Sequence, residues 1–247
     1  MKLNSRFNVI FPKIPIIGMI HLAGEDPVSR ALEEISIYEK QGVNGALIEN
    51  YHNHSLDVLK KVLHEVSNLE RKIIIGVNVL PNEFHRSLSL ANVYNADFVQ
   101  LDFVAGKYKG HDFSFDSYSA FKEAYPNIVV LGGVWPKYYT PVDNSNLEND
   151  IKEGMERAEA VVVTGEATGV EIPLEKIITF KRILGSHPLI VGAGLNLNNV
   201  YSHLSIADGA IVGSYFKPNG DTSQKVDETL VSEFMNHVKK LRFSKGD

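Results

Sequence analysis

The sequence predicts an α/β fold of the (β/α)8 TIM-barrel class, and three observations predict it. Short apolar runs recur about every 20 to 30 residues, each followed by polar or glycine-rich residues and then a helical pattern. There are eight such runs, and most are nearly continuous in apolar residues, as parallel strands covered on both faces must be. A length of 247 residues with 44% hydrophobic content suits one barrel, so a single domain over 1–247 is expected.

The expected strands are 16–21, 45–49, 73–79, 98–102, 128–131, 160–164, 189–191 and 210–212. Between them, Leu56, Leu59, Leu63, Val66 and Leu69 form one helical stripe, and Val226, Leu230, Phe234, Val238 and Leu241 form another near the C-terminus. Asp26 before Pro27 and Ile172 before Pro173 read as helix entries, because proline at the first helical position loses no needed N–H bond. No linker or low-complexity tract interrupts the series. An open doubly wound sheet rarely needs so many regular units, so closure is preferred.

Composition narrows the function. Lys and Arg total 25 against 30 Asp and Glu, a net charge of −5, which removes the overall attraction that drives nonspecific nucleic-acid binding. The absence of cysteine excludes disulfides and thiolate metal ligands. The start, MKLNSRFNVIFPK, lacks the apolar run of a signal peptide, and no later stretch reaches membrane-spanning length. A cytoplasmic protein without integral membrane association is expected; a homo-oligomer is left open.

Barrel chemistry sits at the C-terminal ends of the strands. Here those ends carry His21, Glu49 with Asn50, Asn78, Asp102, Lys137 a few residues past the fifth strand, and Thr164 with Glu166 and Thr168. The last two strands end in Gly192, Ala193 and Gly194, and in Gly213 and Ser214. Glu49 and Asp102 can act as acid and base across the mouth, share a divalent ion with Asn78, or simply bind loop backbone. His21 titrates near neutrality and suits proton donation or a structural bond. The two glycine turns suit a phosphate held by backbone N–H groups, with Lys217 adding charge. In "VTGEATG", Gly165 and Gly169 allow close backbone approach, while Thr164 and Thr168 either orient a ligand or cap the helix announced by Pro173. His52 and His54 form an HxH pair without a third clustered ligand, so no zinc site and no cofactor are expected.

Taken together, "IIGMIHL", "ALIENY", "GVNVLPNE", "VVVTGEATG", "VGAGLNLNNV" and "ADGAIVGSYFKPNGD" resemble the BtpA family across nearly the whole chain. The matching positions are His21, Glu49, Asn50, Asn78, Thr164, Gly165, Thr168, Gly169, Gly192, Gly194, Asp208, Gly209, Gly213, Lys217, Gly220 and Asp221. The chain departs from the family pattern in "AGEDP" after the first strand, at Pro81, and at Tyr138, where typical members follow the lysine with histidine. The resemblance implies a barrel of the phosphate-binding superfamily type. It implies either an enzyme on a small phosphorylated metabolite, a sugar phosphate or nucleotide-derived compound, as lyase, isomerase or hydrolase, or a noncatalytic assembly factor of the photosystem I biogenesis type.

Overall fold

The computed structural model describes residues 4–52 and 54–244, and its parallel strands form a closed eight-stranded barrel in sequence order. The strands are β1 (Ile16–His21), β2 (Gly45–Glu49), β3 (Ile74–Asn78), β4 (Phe98–Leu101), β5 (Val129–Gly133), β6 (Ala160–Val163), β7 (Leu189–Val191) and β8 (Gly209–Val212). Pairing of β1 with β8 closes the ring. Helix α1 (Asn4–Ile10) precedes the barrel, and one helix follows each strand: α2 (Pro27–Gln41), α3 (Leu56–Ser67), α4 (Phe84–Val93), α5 (Phe115–Ala124), α6 (Leu147–Arg157), α7 (Leu174–Leu184), α8 (Val200–Ile206) and α9 (Glu228–Ser244). The expected span 1–247 includes positions 1–3, 53 and 245–247, which lie outside the described residues.

The expected strands match with end shifts of one or two residues. β5 runs on through Gly132 and Gly133, because both pair with β6 at Val161 and Val162. Asp26 caps α2 by accepting a bond from the Ser29 N–H at 3.1 Å, with Pro27 as the first helical residue. Two details differ from the sequence reading. Pro173 stands at the N-cap of α7 rather than inside it, and Leu69 lies beyond the end of α3, half exposed, because Asn68 has already closed that helix.

Alternation along each strand sorts the side chains. Ile17, Leu47, Phe98, Val129, Leu131, Ala160, Val162, Ile190 and Ile211 pack together inside the barrel, and Phe7 and Phe11 join them from below. Phe11 meets Phe98 edge-on, with ring centroids 5.4 Å apart. The larger cluster fills the layer between strands and helices. Phe98 fits the barrel centre only because Gly76 faces it: a Cβ there would lie 2.2 Å from the ring. At the N-terminal end, Asp208 accepts bonds from Lys181 at 2.7 Å and from the Leu189 N–H at 2.8 Å. This family-matching residue therefore fastens the floor, opposite the mouth.

Gly76→Ala should destabilise the protein by about 1–3 kcal/mol through overpacking. In that background, Phe98→Leu should cost less than it does in the native sequence. Urea unfolding of the two single variants and the double variant measures this coupling.

Candidate functional site

Parallel register sets the top layer. His21 pairs with Glu49, and Glu49 pairs with Asn78, so three inward polar residues stand side by side on β1, β2 and β3. His21, Glu49, Gln100, Asp102, Lys137, Thr164, Thr168 and Gly192 line one cavity of about 120 Å³ at the C-terminal mouth, over an apolar floor of Met19, Val162 and Ile211. The strand ends thus bring His21, Glu49, Asp102, Lys137, Thr164, Thr168 and Gly192 together. Asn78 lies behind Glu49. Its Nδ2 donates to Glu49 Oε2 and to Gln100 Oε1, each at 2.6 Å.

Burial sets the electrostatics. Glu49 is 6% exposed, and desolvation, reinforced by the neighbouring Asp102 charge, pushes its carboxyl up to about 7. Lys137 and the Asn78 amide pull the other way without cancelling this rise. Asp102 is likewise raised by burial, and its Oδ2 accepts a 2.6 Å bond from the Tyr139 hydroxyl. His21 is held well below its ordinary value, by burial first and then by the Lys217 and Lys137 charges, so it is neutral at pH 7. Its ring lies edge-on to Tyr51 at 4.8 Å. Gly213 makes room for that ring, since a Cβ there would approach His21 Cε1 to 2.9 Å.

The turn after β6 is a clamp on the β5–α6 loop. Lys137 donates its backbone N–H to Thr164 Oγ1 at 2.7 Å and its ammonium to Thr168 Oγ1 at 2.9 Å. Thr168 also donates its N–H to the Tyr138 hydroxyl at 2.9 Å. Thr168 Oγ1 bonds Lys137 and Tyr138, and neither partner belongs to α7. Tyr138 takes φ 69°, a left-handed conformation unfavourable for a bulky residue, and the Thr168 contacts hold it there.

The glycine turns divide between two places. Gly192 faces the central cavity, whereas Gly169, Gly194, Asn196 and Ser214 border a neighbouring one of about 320 Å³. Gly194 has φ 65° and no room for a side chain, since a Cβ would sit 2.1 Å from the Val170 carbonyl oxygen. Gly165, Ala193 and Gly213 border neither cavity. Lys217 is anchored within the protein. Its side chain borders the outer cavity but is 1% exposed; Nζ donates to the Gln224 carbonyl at 2.9 Å and stands 3.6 Å from Glu34 Oε1. Burial lowers its pKa to about 8, and its ammonium is held by this internal anchor.

Asn78 turns donor nitrogen, not oxygen, towards Glu49. Among the described residues, no group of three or more His, Cys, Asp or Glu side chains is arranged to hold a metal. His52 instead bonds the Thr222 hydroxyl at 3.2 Å.

Sequence reasoning singled out Tyr138 only as a departure beside Lys137, and it missed Gln100, Tyr51 and Tyr139. Gln100 was accessible from alternation, lying midway between inward-facing Phe98 and cavity-lining Asp102. The tyrosines gave no such signal: they reach the site by loop folding.

The BtpA family model matches residues 13–240. An uncharacterized protein of Pyrococcus horikoshii is 30% identical, over 94% of this chain and 98% of its own. The photosystem I biogenesis protein BtpA of Synechocystis is 24% identical, over 90% and 86%. Among solved structures, N-(5'-phosphoribosyl)anthranilate isomerase from Pyrococcus furiosus superposes with a TM-score of 0.60 at 17% identity, covering 92% of this chain and 99% of that one. Among the described residues, no helix is long and apolar enough to cross a membrane.

A testable consequence concerns pH. Glu49 binds its proton more tightly when folded, so its stabilising contribution is full below about pH 4.5 and is lost as pH rises through about 7. That shift corresponds to about 3 kcal/mol. Glu49→Gln should remove the loss: the variant should match the native protein at pH 4 and be more stable at pH 8 by up to that amount. Denaturant unfolding at the two pH values checks the sign.

Proposed function

The chain belongs to the BtpA family, and from that premise we propose that it is an enzyme acting on a small phosphorylated metabolite at the barrel mouth. One observation carries the reading: a buried carboxyl poised at about 7, in a cavity it shares with a lysine ammonium and a second carboxyl. A group with that pKa is present in both protonation states at neutral pH, which suits proton transfer in each direction. In its carboxylate form, Glu49 takes a proton from a substrate carbon or hydroxyl next to an oxygen. Lys137, steered by Thr168, stabilises the negative charge that develops on that oxygen. Glu49 then returns the proton. Isomerisation, or cleavage as a lyase, fits this sequence best, since one carboxyl serves as both base and acid.

The phosphate belongs with the outer cavity at Gly169, Gly194 and Ser214, where backbone N–H groups supply the contacts. Barrels commonly bind phosphate after their seventh and eighth strands, and the isomerase from P. furiosus, named for a phosphoribosyl compound, shares this fold. A second reading, an assembly factor, draws on the Synechocystis relative and on exposed Leu174 and Ile178, one turn apart on α7, with exposed Val170 in the loop before it. It predicts that Glu49 is dispensable.

The test begins with thermal-shift screening of phosphorylated metabolites and inorganic phosphate, followed by NMR of each hit in D2O. The native protein should convert a hit and exchange one of its C–H protons. Glu49→Gln should lose at least about 100-fold in rate, while its Kd stays within about threefold. Lys137→Met should behave alike. Full activity in Glu49→Gln would overturn the proton-transfer role.

A further inference from the structure

The central cavity is small for a whole metabolite. Its volume of about 120 Å³ falls below the roughly 300 Å³ at which metabolite pockets begin, so it holds only a reacting fragment. Beside it, between the loops after β3 and β4, opens a groove of about 590 Å³. We infer that this groove is a substrate subsite for a planar nitrogen heteroaromatic ring, the end of the metabolite opposite its phosphate. The inference rests on the proposed phosphorylated substrate and adds its class.

Consecutive residues line the cavity and the groove. Leu80 lines the cavity and Pro81 the groove; Asp102 lines the cavity and Phe103 the groove. Tyr139 lines the cavity and touches two residues of the groove. Its hydroxyl donates to Asp102 at 2.6 Å, while its ring lies 5.1 Å from Phe103 and 4.6 Å from His111. A ligand reacting at Asp102 therefore has an aromatic surface immediately beyond it.

The walls suit a flat ring. Phe113 packs against Phe84 and Phe103 at centroid distances of 5.0 and 5.2 Å and is only half-buried, leaving ring surface open to the groove. His111 is exposed on the same rim. Ring faces favour stacked π-systems over aliphatic chains. The rim also carries Glu83 and Asp112. Glu83 faces Arg86 at 3.7 Å, while the exposed Asp112 carboxylate repels phosphate and accepts hydrogen bonds from the N–H groups of a heteroaromatic ring, which an all-carbon ring lacks. Charge thus fixes the orientation: phosphate at the turns after β7 and β8, ring at β3 and β4, which ring closure places on the far side of the mouth.

Calorimetric titration with ribose 5-phosphate, AMP, UMP and adenosine separates this inference from the reading beneath it. At least one nucleotide should bind tenfold or more tightly than ribose 5-phosphate. Phe113→Leu, which keeps apolar volume but removes the ring, and His111→Ala should each reduce that ratio to threefold or less, with ribose 5-phosphate affinity unchanged. Their melting temperatures show whether the fold is intact, and His111, being exposed, serves if Phe113→Leu does not fold. Ribose 5-phosphate binding as tightly as both nucleotides would overturn the ring subsite and leave the phosphorylated-substrate reading standing. Adenosine binding as tightly as AMP, with the same sensitivity to Phe113→Leu, would support the ring site and sink the phosphate. No binding of any probe would overturn the ring inference.

Discussion

The period-two alternation of a closed parallel barrel is the constraint on which everything else depends. Each strand sends every second side chain inward, and pairing in register stacks those side chains into layers. The lower layers are apolar, packed by Phe98, Leu131, Ile190 and their neighbours, with Phe7 and Phe11 beneath. The top layer on β1 to β3 is His21, Glu49 and Asn78. A carboxylate set directly above an apolar core loses its water, and that loss is what carries Glu49 to about 7. Fold and chemistry are thus linked through one dielectric boundary.

The surrounding groups keep this carboxyl usable. A buried acid without partners would stay protonated far above neutrality. The Asn78 amide and the Lys137 charge limit the rise, while Tyr139 does the same for Asp102. Such a site opposes stability near neutral pH, and the layers below must offset it. The Lys217–Glu34 pair ties the segment after β8 to α2, and Arg30 adds bonds to the Ser223 and Gln224 carbonyls. That segment begins at Gly213, against which the His21 ring packs.

What could be read from the sequence follows the range of the interactions involved. Strands and their C-terminal ends are local patterns, so the eight strands and the gathering of Glu49, Asp102, Lys137 and Thr164 at one end were legible. Side-chain direction past a strand end was not. Lys217 carries the composition of an anion ligand, yet the chain turns its ammonium towards Glu34, far away in sequence. Thr168 has the spacing of a helix cap, and its hydroxyl instead receives Lys137 from another loop. Tyr139 becomes the partner of Asp102 only through the folded β5–α6 loop.

A carboxyl carbon NMR titration of glutamate-labelled protein tests the poised acid most directly. One resonance should titrate with a midpoint near 7, as burial beside Asp102 requires, and it should vanish in Glu49→Gln. If every glutamate carboxyl titrates with a midpoint near the ordinary value of 4.5, Glu49 is a plain solvated acid and the proton-transfer site is contradicted.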